Sequence, residues 1–540
     1  MRYRPRFQAR ISLEPSAKMS RLSRAAAAVL AASLLLTACG NGNKDSETSG
    51  GTAPTPPSAP QRGDLLESPP ALLKTYTPQE LLALAGQNDI GKALVNLAVA
   101  PICSVSVHQL KYQTVGAAGE SASASGALMV PSGTDAACQG ARPILLYAHG
   151  TNTDRTFNIA NLTSSNAEGI AIAAEFASQG YIVIAPNYAG YDTSSLAYHP
   201  FLNADQQSKD MIDALKAGRT ALPTSSAPAA VDNGKLFVTG YSQGGYVAMA
   251  THRALQAAGS TVTAAAPMSG PYALSAFGDA IFRGEVPKSG PTNLVLLISS
   301  YDTAYGDIFT NTTDVFEAKY ATGIASLLPS TTPVTDLESQ GKITSSIVFS
   351  STPPDPSFAA LTPATVPAEL ASVFAKGFGA DFLITNAYRL SYLQDSQAAP
   401  DGAFPTKTDG LPPANPTHAL RRALKLNDLR NWAPSVPVLL CGGSQDPTVF
   451  YLNTQLMQDY WTASAPTASV TVLNVDAAPA SGDPYTDLKT GFQAAKDLVR
   501  TSAVIGGASD GGDDAVFSAY HAGLVPPFCL TAVKAFFDAH

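Results

Sequence analysis

The sequence predicts an α/β fold, a mostly parallel central sheet flanked by helices on both faces. Six short runs, PILLYAHG (143–150), GYIVIAPNYAG (180–190), KLFVTGYSQGG (235–245), VTAAAPMSG (262–270), VPVLLCGGSQD (436–446) and SVTVLNVD (469–476), are almost continuously apolar. Strands buried on both faces have that character. Segments of helical periodicity fall between them, clearest in NADQQSKDMIDALKAGR (203–219) and YVAMATHRALQAAG (246–259). Ahead of them VSVHQLKYQTV (105–115) and SASASGALMVP (121–131) alternate in polarity, so an antiparallel pair is expected to open the sheet.

At 540 residues, 45% hydrophobic and 14% charged, the chain has the apolar content for a large core. A formal net charge of -8 argues against a nucleic-acid partner, which would demand a basic face. The N-terminal stretch MSRLSRAAAAVLAASLLLTACG (19–40) has a basic start, an apolar run from Ala25 to Leu36 and then LTAC. That run is too short to span a bilayer comfortably. The pattern resembles a bacterial lipoprotein signal peptide with its lipobox, which implies Cys39 as the acylated first residue of the mature chain and a membrane partner through that lipid anchor. An ordinary cleaved signal is the rival. Translation starts at Met1 or Met19, and Gly40, where inner-membrane retention would favour Asp, points to the outer membrane.

The organisation expected is a signal over 1–39, a flexible Gly/Ser/Thr/Pro tether over 40–70, and a core in two parts, 71–275 and 435–540, with an insertion at 276–434. Four cysteines remain in the folded part, an even number in an exported chain. The pairing favoured is Cys103 with Cys138, which bracket a hairpin, and Cys441 with Cys529; buried free thiols are the alternative.

Gly240-Tyr241-Ser242-Gln243-Gly244 fits G-x-S-x-G between a strand and a helix. In that turn the serine is strained and its neighbours are small so that strand and helix can approach, which lifts the hydroxyl to the positive end of the helix. A serine hydroxyl needs an adjacent base, itself oriented by an acid. Of the later histidines, His252 lies on the helix after the turn, His418 reads as a helix-surface residue and His540 ends the chain. His521, in a Gly-flanked loop before the last helix, is the expected base. Asp446 ends a strong strand and is the expected acid, with Asp476, Asp513 and Asp514 as rivals better suited to capping or solvating loops. Two backbone donors would complete an oxyanion hole: Gln243, next after the serine, and Thr151 in the AHGTN turn, with His149 a turn-shaping imidazole.

YAHGT, APNYAGY, GYSQGG and GGSQDPTV, in that order after GALMVP, make the chain resemble the α/β-hydrolases of the secretory-lipase type, over roughly 100–275 and 435–535. The resemblance implies the α/β-hydrolase fold, a Ser242–His521–Asp446 triad and hydrolysis of a small-molecule or lipid-like ester without a metal or other cofactor. The insertion before the acid-bearing strand reads as a cap over the site. NLVLLISSYDTAYG (293–306) and FAKGFGADFLITNAYRLSYLQD (374–395) are positioned either to line an acyl pocket or to form the cap's own core, the second being the better account of most of them. Two other classes stay open. A serine peptidase of prolyl-oligopeptidase type shares the turn, but the sequence carries no repeated propeller. A surface lipoprotein on a non-catalytic hydrolase scaffold is the other.

Overall fold

The computed structural model describes residues 59–97, 99–226, 229–401 and 411–540. The signal, Cys39 and the tether as far as residue 58 lie outside the described residues. In chain order the strands are β1 (Ala71–Tyr76), β2 (Ser104–Val115), β3 (Ser121–Ser132), β4 (Ala141–Ala148), β5 (Ile182–Pro186), β6 (Val231–Tyr241), β7 (Ala264–Met268), β8 (Phe349–Ser350), β9 (Phe378–Gly379), β10 (Val438–Gly442) and β11 (Val470–Asn474). β8 and β9 pair only with each other, and the rest form one sheet in the order β1-β2-β3-β5-β4-β6-β7-β10-β11. β1, β2 and β3 are antiparallel, and β5 joins β3 antiparallel from Gly126↔Pro186 to Met129↔Val183. From β5 onward every neighbouring pair is parallel.

The helices begin with α1 (Pro78–Ala85), α2 (Asp89–Leu97), α3 (Ala167–Glu175), α4 (Ala204–Ala221) and α5 (Gln243–Ala257). Between β7 and β10 stand α6 (Leu274–Phe282), α7 (Gly290–Tyr305), α8 (Ala318–Ala321), α9 (Val334–Ser339), α10 (Ala371–Ala375), α11 (Asn386–Ala398) and α12 (Ala419–Asn427). The chain closes with α13 (Leu452–Ser464), α14 (Thr486–Ile505), α15 (Asp513–Ala519) and α16 (Val525–Asp538).

Side chains alternate across a strand, and here both faces are covered, which accounts for the unbroken apolar runs. On β4, Ile144, Leu146 and Ala148 enter the core layer under α4 and α5, while Leu145 and Tyr147 enter the layer under α3 and α16. On β10, Val438 and Leu440 take the first layer and Leu439 and Cys441 the second. The sheet, its helices and the insertion make this an α/β-hydrolase fold.

Three expectations need correction. The tether was expected to run to residue 70, but Arg62 already pairs with Asp213 on α4 at 2.9 Å and Gly63 N–H bonds the Gln113 carbonyl at 2.8 Å. His521 was expected in a loop, yet it sits in a π-helical turn, Tyr520–Leu524, that joins α15 to α16. Gly523 costs a helix only about 1 kcal/mol, and the buried face formed by Val516, Tyr520, Leu524, Val525 and Phe528 outweighs it. Pro526 and Pro527 lack the N–H groups that Ala522 and Gly523 carbonyls would bond in an α-helix, and a wider turn fits there. His418 is not on a helix surface: it caps α12 and its ring meets Tyr388 and Tyr392 at 4.8 and 5.1 Å.

Both favoured disulfides are formed. Cys103–Cys138 closes a 35-residue loop around the β2–β3 hairpin. Cys441–Cys529 closes one of 88 residues and ties the strand leading to Asp446 to the helix following His521. Loops of that size correspond to about 3 to 5 kcal/mol each in the chain-entropy account.

Candidate active site

β6 runs into α5 through Ser242, which stands at φ 60°, ψ −122° with its N–H on the Met268 carbonyl at 3.0 Å. A non-glycine residue there stores strain, of order 1 to 3 kcal/mol, that the surrounding packing must hold. The flanking glycines make the turn possible: a Cβ on Gly244 would overlap the Ala148 carbonyl oxygen, and one on Gly240 would overlap both that oxygen and the Gly244 carbonyl. Small residues are needed here because three backbones meet.

The Ser242 hydroxyl lies 2.8 Å from His521 Nε2, and His521 Nδ1 lies 2.6 Å from Asp446 Oδ2. The other Asp446 oxygen accepts the Thr448 and Val449 N–H groups at 2.9 and 3.0 Å, so the carboxylate is fixed in the turn after β10. Tyr241, next to the serine, donates its hydroxyl to the His521 carbonyl at 2.5 Å and holds the π turn over the serine. The structure therefore brings together the three residues singled out from the sequence. It does not bring the rival acids to the imidazole. Asp476 forms a buried ion pair with Lys496 at 2.6 Å and accepts the Tyr520 hydroxyl at 2.6 Å, which corrects its reading as a loop cap. Asp513 faces Arg500 and Asp514 faces Lys376 at the surface.

Gln243 and Thr151 both line the cavity over Ser242. Among the described residues neither main-chain N–H has a hydrogen-bond acceptor in the protein. Gly150 N–H, one residue before Thr151, is committed to both carboxylate oxygens of Glu168 at 3.1 Å. His149 lies between the Asn187 and Gly150 carbonyls and stacks on Tyr188, and burial lowers its pKa to about 4. It shapes the turn as a neutral ring. The Gln243 side chain is anchored too: its amide nitrogen is 2.7 Å from His199 Nε2, while His199 Nδ1–H donates to the Ala189 carbonyl. Burial pushes the pKa of His199 down to about 3, so that nitrogen is a stable acceptor.

The cavity encloses about 460 Å³. Its walls are mostly apolar and come largely from the inserted helices: Phe277 and Ile281 of α6, Leu294 and Leu297 of α7, Leu420 and Leu424 of α12. Of the two aromatic and aliphatic stretches weighed as pocket lining, the first contributes Asn293, Leu294 and Leu297. The second contributes none of the lining residues; Phe374, Leu383, Ile384, Tyr392 and Leu393 are packed in the core.

Sequence reasoning passed over Glu168 and His199. Glu168 is the one charged residue in the opening turn of α3, AEGIAIAAE, whose only other charge, Glu175, stands at its far end, and that contrast with the apolar residues between is the signal that marks it. His199, in YHPFLN, carries no comparable mark.

The model of the prolyl oligopeptidase family matches residues 170–287, a stretch that holds the serine turn and stops before Asp446 and His521. No curated protein matches the chain. Among solved structures, the rice cell wall degrading esterase LipA of Xanthomonas oryzae is similar at 26% identity and a TM-score of 0.59, over 82% of this chain and 98% of that one. A protein of Legionella pneumophila is similar in fold at 18% identity and a TM-score of 0.56, over 79% and 95%. The chain is a serine hydrolase of the α/β-hydrolase superfamily.

Proposed function

We propose that this chain hydrolyses carboxylic esters with apolar acyl groups through an acyl-enzyme, at the bacterial cell envelope. The observation that carries this reading is the Ser242–His521–Asp446 line at the base of a large apolar cavity. His521 Nε2 takes the proton of Ser242 as the hydroxyl attacks the ester carbonyl, and Asp446 holds Nδ1–H in place and balances the imidazolium. The Gln243 and Thr151 N–H groups receive the oxyanion. His521 then protonates the leaving alcohol, and a water molecule, activated by the same imidazole, releases the acid. The likeness to an esterase supports the ester as substrate.

The match to the prolyl oligopeptidase model favours a peptidase as second reading, but it covers the turn that both classes share. The described residues form one nine-stranded sheet and a two-stranded ladder, without propeller blades. The deciding experiment is a panel of p-nitrophenyl esters from acetyl to palmitoyl beside peptidyl p-nitroanilides, with protein lacking residues 1–39. Ester turnover is expected, rising from acetyl to chains that fill the cavity, with no anilide cleavage. Anilide turnover equal to or above ester turnover would assign the peptidase. A protein inert to both and to a fluorophosphonate would be a non-catalytic scaffold.

The envelope location rests on the lipobox reading of LTAC. Cys39→Ser should move the protein from the outer-membrane fraction to a soluble one, and mass spectrometry of the wild type should find acyl chains on Cys39. An unmodified mature N-terminus at another residue would refute the anchor.

A further inference from the structure

Beside the nucleophile stands a carboxyl group that the proposed reaction leaves without a task. Glu168 lines the cavity that Ser242 and His521 line. Its Oε1 accepts the Tyr147 hydroxyl at 2.7 Å, and both its oxygens accept Gly150 N–H at 3.1 Å. A Cβ built on Gly150 would stand 3.6 Å from Glu168 Oε2 and 3.7 Å from Ser242 Cβ, so the carboxyl and the serine both border the space beside Gly150. Among the described residues Glu168 forms no ion pair, and its hydrogen-bond partners are Tyr147 and Gly150.

We propose that Glu168 is a positioning residue of the oxyanion turn and that it serves the reaction as the neutral acid. Accepting Gly150 N–H fixes the turn and leaves the next N–H, that of Thr151, for the oxyanion. The Tyr147 and Gly150 hydrogen bonds favour the charged form and burial outweighs them. As the acid, Glu168 takes both hydrogens on Oε1, its carbonyl oxygen, and carries the proton on Oε2, which then gives up its share of Gly150 N–H. Loss of that proton puts a full negative charge near the place where the tetrahedral oxyanion forms, and in a site of low dielectric this opposes it. Burial raises the Glu168 pKa to about 7, inside the working range of a His-dependent hydrolase.

The neighbours leave that assignment intact. Facing Glu168 are Tyr147 on β4, Tyr188 after β5 and Tyr241 on β6, with His149 next to Gly150 in the turn after β4 and His521, backed by Asp446, across the cavity. Burial raises the three tyrosines well above their ordinary pKa and lowers that of His149, so none of the four changes charge near neutrality. α1 and α2, packed on α3, keep their charges in the Lys74–Glu80 and Lys92–Asp89 pairs. On α16, Lys534 pairs with Asp538. At the far end of α3 burial also raises the pKa of Glu175 to about 7, but it faces Lys534 and Asp538 and is not among the cavity-lining residues. Beside the cavity His521 and Glu168 remain as the groups whose charge bears on the rate: the imidazole must be neutral to act as base, and the carboxyl must be neutral to spare the oxyanion.

This rests on the serine-hydrolase mechanism above, and the test separates the two. The second-order rate of labelling by a small fluorophosphonate, and kcat/KM for p-nitrophenyl butyrate, are measured from about pH 5.5 to 9. Wild type should fall about tenfold on the alkaline side, around the Glu168 pKa. Glu168→Gln keeps an acceptor for Gly150 and Tyr147; its rate near pH 6 should stay within about threefold of wild type while the alkaline fall disappears. Glu168→Asp should keep the fall, and Glu168→Ala should be slow at every pH because Gly150 loses its acceptor.

Thermal melts give an independent readout of the same group. A carboxyl whose folded pKa is raised gives stability that is present below its unfolded value of 4.5 and lost as pH rises through about 7. Glu168→Gln should therefore gain in melting temperature on wild type between those values. An alkaline fall retained in Glu168→Gln, or absent from the wild type, overturns the inference while leaving the hydrolase reading intact. A wild type that neither labels nor turns over ester overturns both.

Discussion

Ser242→Ala should remove ester turnover and fluorophosphonate labelling, by about 10⁴-fold or more, with the melting temperature nearly unchanged. Alanine accepts the same strained backbone as serine, so the turn between β6 and α5 keeps its stored energy and loses only the hydroxyl. His521→Ala should cost as much, because the residues act as a unit and the serine without a base is an ordinary alcohol. Asp446→Asn should cost less, since Thr448 and Val449 N–H groups still hold an amide oxygen in the turn and the imidazole retains the Tyr241 tether on its backbone. Asp476→Asn separates acid from support. Its carboxylate pairs with Lys496 and Tyr520, so its loss should lower the melting temperature and leave kcat near the wild-type value. If Asp476→Asn reduced kcat more than Asp446→Asn, the acid would have to be reassigned.

The parallel strands were legible because both faces of each are buried, so residues on either side of the pleat had to be apolar. β1 was not: in ALLKTY four successive side chains are exposed, as an edge strand allows, and the pattern shows no buried face. That Ser242, Asp446 and His521 would meet was legible from the tight turn and the order of strand ends. The helical setting of His521 was not, because local sequence shows Gly and two prolines but not the core face that outweighs them. Glu168 was invisible for another reason. A lone carboxyl gains meaning only from what encloses it, here Tyr147, Gly150 and the cavity wall, residues scattered over β4 and the loop after it. The insertion was the least legible part, since its cohesion depends on buried charges that look like surface in a sequence. Arg389, Arg421 and Arg430 are all among its most buried side chains.

The second large effect concerns one of these. Arg421→Met should destabilise the protein by about 3 to 5 kcal/mol, because the guanidinium joins three helices. Arg421, 1% exposed on α12, binds Asp279 of α6 at 2.8 Å and Asp395 of α11 at 2.7 Å, both nearly buried. Removing it leaves two carboxylates inside without a cation, with the Tyr392 hydroxyl on Asp279 and Thr417 on Asp395 as donors; adding Asp279→Asn to Arg421→Met removes one of the two charges, so the double variant should lose less than the sum of the singles. The same joint bears on substrate choice, for α6 and α12 supply Phe277, Ile281, Leu420 and Leu424 to the cavity wall. When their relative position loosens, the wall under a long acyl chain shifts while the serine turn, built on β6 and α5, stays in place. Turnover of long-chain esters should then fall about tenfold more than turnover of acetyl ester, measured well below the unfolding midpoint. Urea unfolding gives the stability and the ester panel gives the selectivity. A loss below about 1 kcal/mol would show that the buried charges do not hold the insertion together. An equal loss for acetyl and long-chain esters in folded protein would show that the wall they position does not set acyl preference.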